Sequence, residues 1–324
     1  MTLLIIDANN MAYRAIFTVN LSNDGVDTSV TYGVMNMIQS TLTKYRNITS
    51  VIACFDGGSP AYRKILVPTY KDNRKKDEDS DIDWEDKYRQ IDELCYVALP
   101  MHGIMTVRKR HVEADDLMAA IARASVDDAY ILTGDDDLLQ CVSDNVSIVN
   151  PTKGLISIDN FEDTFGYPVE YHLFRKMLLG DDSDNIPGVP KVGIKTAEKL
   201  IAELIELECE DPYEYIISNL RNLSSLQSLT AFQAGLISDM GILGLGDIYE
   251  TMDLSVDRSN ASMAIKDAVW NQFDKSKVIR YLMANGFISM IGPKYYKLFE
   301  RLQKPELELQ RYPRFSIRLP VREV

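Results

Sequence analysis

Apolar residues run unbroken and then stop at an acid in three places. These are residues 3–7 (LLIID), 51–56 (VIACFD) and 130–133 (YILT), the last leading straight towards Asp135 and Asp137. Continuous apolar runs of this length predict strands covered on both faces, as in a parallel sheet. Helical periodicity lies between them, at about 31–45, 84–99 and 113–124. Strand alternating with helix predicts an α/β fold with a central, mostly parallel sheet flanked by helices. In such sheets the ligand sits off the carboxyl ends of the strands, which is where these acids fall. After about residue 184 the strand signals fade. Helical patterns take over at 195–207, 211–220, 225–236, 261–273, 275–285 and 293–303. The pattern predicts an α/β domain over 1–184 and a smaller, all-helical domain over 185–324.

Composition narrows the class without deciding it. With 46% hydrophobic and 26% charged residues the chain reads as an ordinary soluble globular protein. No apolar run approaches the roughly 20 residues that a membrane span needs. The opening MTLLIIDANN lacks the basic stretch of a signal peptide, so a cytoplasmic location is expected. The four cysteines are scattered without paired spacing, which predicts free thiols in a reducing compartment. A net charge of -13 argues at first against a nucleic-acid partner. Basic residues nevertheless crowd two short stretches, one with Arg63, Lys64, Lys71, Arg74, Lys75 and Lys76, the other with Arg108, Lys109 and Arg110.

The acids carry the chemistry. Asp7, Asp56, Glu113, Asp115, Asp116, Asp135, Asp137, Asp181 and Asp184 each sit where a strand should end or a helix begin. Glu113 and Asp116 are spaced to share one helical face, so a first-turn cluster can point at one spot. Taken singly, each is explained by the aspartate preference for turns and caps. Taken together, carboxylates converging on one sheet edge repel one another and take up protons unless a cation lies between them. Oxygen ligands without His or Cys select Mg²⁺, with Mn²⁺ as a substitute. The three histidines show no zinc-ligand spacing. Two such ions roughly 4 Å apart would suit phosphodiester hydrolysis.

In order along the chain, LIIDANNMAYRA, CFDGGSPAYRKILVPTYKDNR, VEADDLMAAIA, ILTGDDDLLQ and LLGDDSDNIPGVPKVGIKTAEKL resemble the successive motifs of the 5′ nuclease (flap endonuclease) family. That family includes the N-terminal nuclease domain of bacterial DNA polymerase I and stand-alone phage enzymes. IDWEDKY, NPTKGLISI and SKVIRYLMANGFISM look most like its phage ribonuclease H branch. The resemblance implies a two-metal site. Asp7, Asp56, Glu113 and Asp115 match the first metal's acids; Asp135, Asp137 and Asp184, with Asp115 bridging, match the second's. Asp116 and Asp181 match outer acids that hold metal waters. It also implies an arch at about 70–95. There Lys71 matches a lysine on the scissile phosphate, Arg63 shares its work, Arg74 binds the strand, and Tyr70 matches an aromatic on which the terminal base stacks. A helix–hairpin–helix at about 186–204 is implied to bind duplex phosphates through Gly188, Lys191, Gly193 and Lys195, with K⁺ in the hairpin. Lys191 stands where a third glycine is common.

The expected function is a Mg²⁺-dependent 5′-3′ exonuclease and flap endonuclease acting in phage DNA replication. Its substrates would be branched or nicked double-stranded DNA and RNA–DNA hybrid. A monomer is expected, with a single-stranded-DNA-binding protein or a sliding clamp as the protein partner. The rivals are a catalytically silent, structure-selective DNA-binding protein of the same fold and a PIN-type ribonuclease. Clustered negative charge is no help to binding alone, which weighs against the first; the basic stretch and the hairpin weigh against the second. The acidic run 77–86 reads as solvated arch, and Arg311, Arg314, Arg318 and Arg322 as a solvated basic tail.

Overall fold

The computed structural model describes residues 2–74 and 82–308. Residues 77–81 of the acidic run, Lys75 and Lys76, and the four tail arginines lie outside them. Six strands form the main sheet: β1 (Thr2–Asp7), β2 (Ser50–Phe55), β3 (Met105–Arg108), β4 (Asp128–Leu132), β5 (Val146–Asn150) and β6 (Gly154–Ile156). They pair in the order β3-β2-β1-β4-β5-β6. All neighbours are parallel except β5 and β6. The three acid-ended runs are thus β1, β2 and β4, three adjacent strands among the four inner ones. The chain steps outward from β1 through β2 to β3, then returns to start the other half at β4, on β1's other edge. The switch point lies there, between the carboxyl ends of β2, β1 and β4.

Strand alternation divides the core. Leu3 and Ile5 face one cluster, with Leu117 and Ile131; Leu4 and Ile6 face the other, with Val34 and Ile38. The helices are α1 (Ala8–Thr18), α2 (Ser29–Lys44), α3 (Ala61–Leu66), α4 (Trp84–Glu93), α5 (Ala114–Ala124), α6 (Ile158–Phe165) and α7 (His172–Leu179). After them come α8 (Ile194–Glu206), α9 (Pro212–Ser218), α10 (Ala231–Met252), α11 (Lys275–Ala284) and α12 (Pro293–Glu300). Leu200, Ile216 and Ile237 of the later helices complete the first cluster. Val278, Leu282 and Phe299 complete the second. The helical region after residue 185 is present as expected, but its apolar residues are spent on both faces of the sheet rather than on a core of its own.

Two helix expectations need correction. In place of a helix over 225–236, α10 begins only at Ala231, where Thr230 and Gln233 form a capping box, and it runs on to Met252 across a break at Gly241 (φ 62°). In place of a helix over 261–273, only Ala261–Ala264 and one tighter turn are helical. Val269 then extends to pair with Thr106 of β3, so an edge strand captures the segment.

Candidate active site

Each strand end delivers its acid through local hydrogen bonding. Asp7 caps α1, accepting from the Asn10 amide at 2.9 Å and from the Thr133 hydroxyl at 2.8 Å. Asp56 follows β2 and accepts from the Ala114 amide at 2.8 Å, which ties it to the start of α5. Asp115 lies in that helix's first turn. Past β4, Asp135 accepts from the Asp137 amide at 2.8 Å. Asp181 accepts from the Ser183 and Asp184 amides at 2.8 and 3.3 Å, folding the turn after α7. The cleft that results, about 210 Å³, is lined by Asp7, Asp56, Asp115, Asp135, Asp137, Asp181 and Asp184, together with Asn9, Asn10, Tyr13, Lys71 and Arg74.

Charge in this cleft is out of balance on one side. Burial, then Asp56 and Asp135, push the Asp7 carboxyl up to about 7 despite its bond from Asn10. Burial and the neighbouring Asp135, Asp7 and Asp56 drive Asp115 well above the carboxylate range. Burial raises Asp56 and Asp135 as well. On the other side cations compensate. Lys176 pairs with Asp137 and, at 2.9 Å, with Asp181. Burial pushes Asp181 up, but Ser183 and Lys176 more than offset it and hold the carboxyl at about 2. Arg74 pairs with Asp184, and the Lys71 ammonium lies 3.6 Å from it. Lys176, on the last turn of α7 just ahead of Asp181, is a site residue that motif reading missed; a lysine one helical turn before the acids of FRKMLLGDDSD was the available signal.

Lys71 adopts φ 58°, a backbone conformation costly for a side-chain-bearing residue. Its amide donates to the Asp184 carbonyl at 2.7 Å. Thr69 and Asn185 exchange side-chain-to-carbonyl bonds at 3.1 and 2.7 Å, and Asn73 bonds the Asp182 carbonyl at 2.6 Å. The basic loop is thereby stitched to the acidic turn, and Lys71 is carried over the cleft.

Four expected site residues turn out to face inward. Arg63 is only 3% exposed and is the spot at which Glu113 and Asp116 both point. It pairs with Glu113, meets Asp116 through two bonds of 2.9 Å, and donates from Nε to the Thr251 carbonyl at 3.0 Å. It cannot reach a phosphate from there. Glu113 and Asp116 do not line the cleft. Glu113 also accepts from Ser59, Tyr70 and Lys71, at 2.6, 2.9 and 2.6 Å. Burial would raise it, but Arg63 and Lys71 hold it at about 2. Tyr70 is 2% exposed, so its ring offers no face to a base; its hydroxyl positions Glu113 instead.

In the segment read as a hairpin, Ile186 and Pro187 pair with Asp181 and Gly180, and α8 begins at Ile194. Lys191 has φ 62°, the left-handed conformation a glycine would take. Its carbonyl accepts from the Gln233 side-chain amide at 2.9 Å, so the protein itself engages that oxygen. Lys191, Gly193 and Lys195 are exposed around the start of α8. Gly188 instead serves close backbone approach, since a Cβ there would lie 2.4 Å from the Leu179 carbonyl carbon.

Among the described residues, no three Asp, Glu, His or Cys side chains are drawn to one point as a finished ligand shell. The cleft still fits Mg²⁺. That ion keeps several waters and takes only one or two carboxylates directly, and the raised carboxyls of Asp7, Asp56, Asp115 and Asp135 mark where positive charge is wanted.

Residues 2–166 match the sequence pattern of the 5′-3′ exonuclease N-terminal, resolvase-like domain. The chain belongs to the 5′-3′ exonuclease family. The 5′-3′ exonuclease of Buchnera aphidicola subsp. Schizaphis graminum is 30% identical over 241 residues, which is 72% of this chain and 79% of that one. DNA polymerase I of Mycobacterium bovis is 35% identical over 215 residues, 62% of this chain but only 23% of the polymerase. This exonuclease thus spans about a quarter of that relative. The flap endonuclease of bacteriophage T5, solved with DNA and metal ions, shares the fold at a TM-score of 0.64 and 20% identity, over 90% of this chain and all of that one. Among the exonuclease's described residues, no helix is long and apolar enough to cross a membrane.

Proposed function

We propose that this 5′-3′ exonuclease hydrolyses phosphodiesters at or near the 5′ ends of branched or nicked DNA and of RNA–DNA hybrid, using Mg²⁺ held in the carboxylate cleft. The observation that carries the reading is the set of seven aspartates around one cleft at the switch point of the sheet, with Lys71 and Arg74 beside them. Divalent ions held there would supply Lewis acidity, lowering the pKa of an attacking water and offsetting charge on the breaking phosphodiester. Asp7, Asp56, Asp115 and Asp135 would hold one side of the ion pair, and Asp137, Asp181 and Asp184 the other. The protein's own part is positional. Lys71 presents an ammonium where the scissile phosphate must lie, and the stitched loop prevents it from swinging away. Arg74, more than half exposed, is placed for the strand leading into the cleft. The exposed hairpin around Lys191 and Lys195 would take duplex phosphates without reading sequence.

The test uses 5′-labelled flap, nicked duplex and RNA–DNA hybrid digested with Mg²⁺, with the products sized. Asp135→Ala combined with Asp137→Ala should abolish cleavage and leave duplex binding intact or tighter, because lost negative charge repels phosphate less. Full activity in that double variant would remove these aspartates from the metal site. Cutting of internal, unstructured RNA without preference for a 5′ end would overturn the reading as a whole.

A further inference from the structure

Two cavities meet at Lys176. One is the carboxylate cleft, which Lys176 does not line. The other, of about 600 Å³, lies between α6 and α7 and is lined by Lys153, Phe165, Tyr167, Arg175 and Lys176. Asp181 and Ser183 line both and so form the shared wall. The Lys176 ammonium reaches across that wall to pair with Asp137 and, at 2.9 Å, with Asp181. These are two of the three acids read above as holding one of the divalent ions. An ammonium and a divalent ion repel each other and compete for the same carboxylates. On the opposite side of the cleft, Asp7, Asp56, Asp115 and Asp135 form no such ion pair among the described residues. The cavity behind the wall has room and chemistry to take the ammonium back. Lys153 pairs there with Asp136 at 2.9 Å. The Arg175 guanidinium lies 5.6 Å from the centre of the Tyr167 ring, and its buried Nε has no hydrogen-bond partner among the described residues. With Asp136 and Asp181 already paired, Arg175 is the cation left to receive an incoming anion.

We propose that Lys176 is a placeholder for the second divalent ion, and that a DNA phosphate entering the cavity between α6 and α7 draws its ammonium off Asp137 and Asp181. This rests on the nuclease reading and adds to it when the site becomes complete. Without DNA, the side with Asp7, Asp56, Asp115 and Asp135 takes an ion readily, while the protein's own charge holds the other side. With DNA, phosphate replaces the two aspartates as the partner of Lys176, and the second ion can enter. The coupling is reciprocal: the factor by which DNA tightens the ion is the factor by which the ion tightens DNA. The nuclease is thereby armed by its substrate.

The test counts Mn²⁺ bound to the full-length protein from the loss of the free-ion EPR signal. Titrations are run without DNA and with a 5′-flap duplex whose linkages around the branch are charged but uncleavable methylenephosphonates. The free parent protein should bind a second Mn²⁺ far more weakly than the first, and the flap duplex should tighten that second ion by roughly tenfold. Lys176→Met keeps the length of the side chain and removes its charge. It should tighten the second ion in the free protein on the order of tenfold, and DNA should then add little. Lys176→Arg should return both constants towards those of the parent. If Lys176→Met fails to fold, Lys176→Gln takes its place. A second ion bound no better in the neutral variant than in the parent, or a full DNA effect remaining there, overturns the placeholder even if the parent cuts flaps. A parent protein that binds no Mn²⁺ and cuts no 5′ end overturns the nuclease reading instead.

Discussion

Lys71 is the side chain at which chemistry and positioning can be told apart. A cation beside the scissile phosphate matters more as charge develops than in the bound substrate. Lys71→Ala should therefore slow single-turnover cleavage by roughly 10²-fold, with the Kd for flap DNA changing only a few-fold. Equal losses in rate and binding would reduce Lys71 to an ordinary phosphate contact. His102 makes a separate prediction about stability. It is fully buried, with Nδ1 donating to the Ala98 carbonyl and Nε2 accepting from Tyr295. Burial pushes its pKa from 6.5 down to about 4. A base with a depressed pKa contributes stability that is present above 6.5 and is lost as pH falls from there towards 4. The loss should total about 3 kcal/mol. Urea midpoints at pH 7.5 and 5 should converge in His102→Gln relative to the parent; parallel slopes would clear His102 of the effect. At this scale the sequence revealed the cleft aspartates because each ends a strand or opens a turn. It showed that Glu113 and Asp116 share a face, but not what that face meets. Arg63 lies far away along the chain, and only the fold brings it under α5.

Elements explain why the basic loop and the acidic turn act together. Residues 69–74 are bonded to the turn 181–185, and that turn is backed by the close approach of Gly180 and Gly188. Gly188→Ala would put a Cβ against the Leu179 carbonyl and the Gly180 amide. It should destabilise the protein by about 1–3 kcal/mol and slow cleavage by displacing Asp181 and Asp184. An unchanged urea midpoint would mean that the backbone yields there without cost. Element boundaries were legible where the pattern was local. α2, α8 and α11 begin and end within about two residues of the periodicity. The extended run after Ala264 was not legible, because Val269 is pulled from helix to strand by Thr106, a partner supplied by tertiary pairing. Short strands such as β3 and β6 also escaped notice, since their apolar runs are brief.

At the scale of the whole molecule, net charge and local charge disagree. Despite a net -13, affinity for a nicked duplex should fall steeply with salt if the local lysines and arginines meet phosphate as proposed, because such contacts release counterions. A log–log slope near zero would show that Lys71, Arg74, Lys191 and Lys195 do not touch DNA. β1, β2, β4 and their acids were readable because a doubly covered strand is a nearly continuous apolar run; the fourth inner strand, β5, was not, because Ser147 interrupts its run. The sharing of the later helices between both faces of the sheet was not readable, because amphipathic periodicity gives a helix a buried side without naming its partner.

That sharing has a consequence for the chain as it is made. Arg63 is bonded to the carbonyl of Thr251, and the helices that seal both sheet faces run on to Glu300. During synthesis, at about 5–20 residues per second, the motif acids up to Asp184 emerge several seconds before the residues that hold α3 and α5 in register. A nascent chain would thus carry every cleft aspartate and still be unable to cut. Ribosome-stalled chains ending near residue 200 should be inactive on flap DNA at Mg²⁺ levels that activate released full-length protein. Nuclease activity in those stalled chains would show that the sheet and its acids assemble without the later helices.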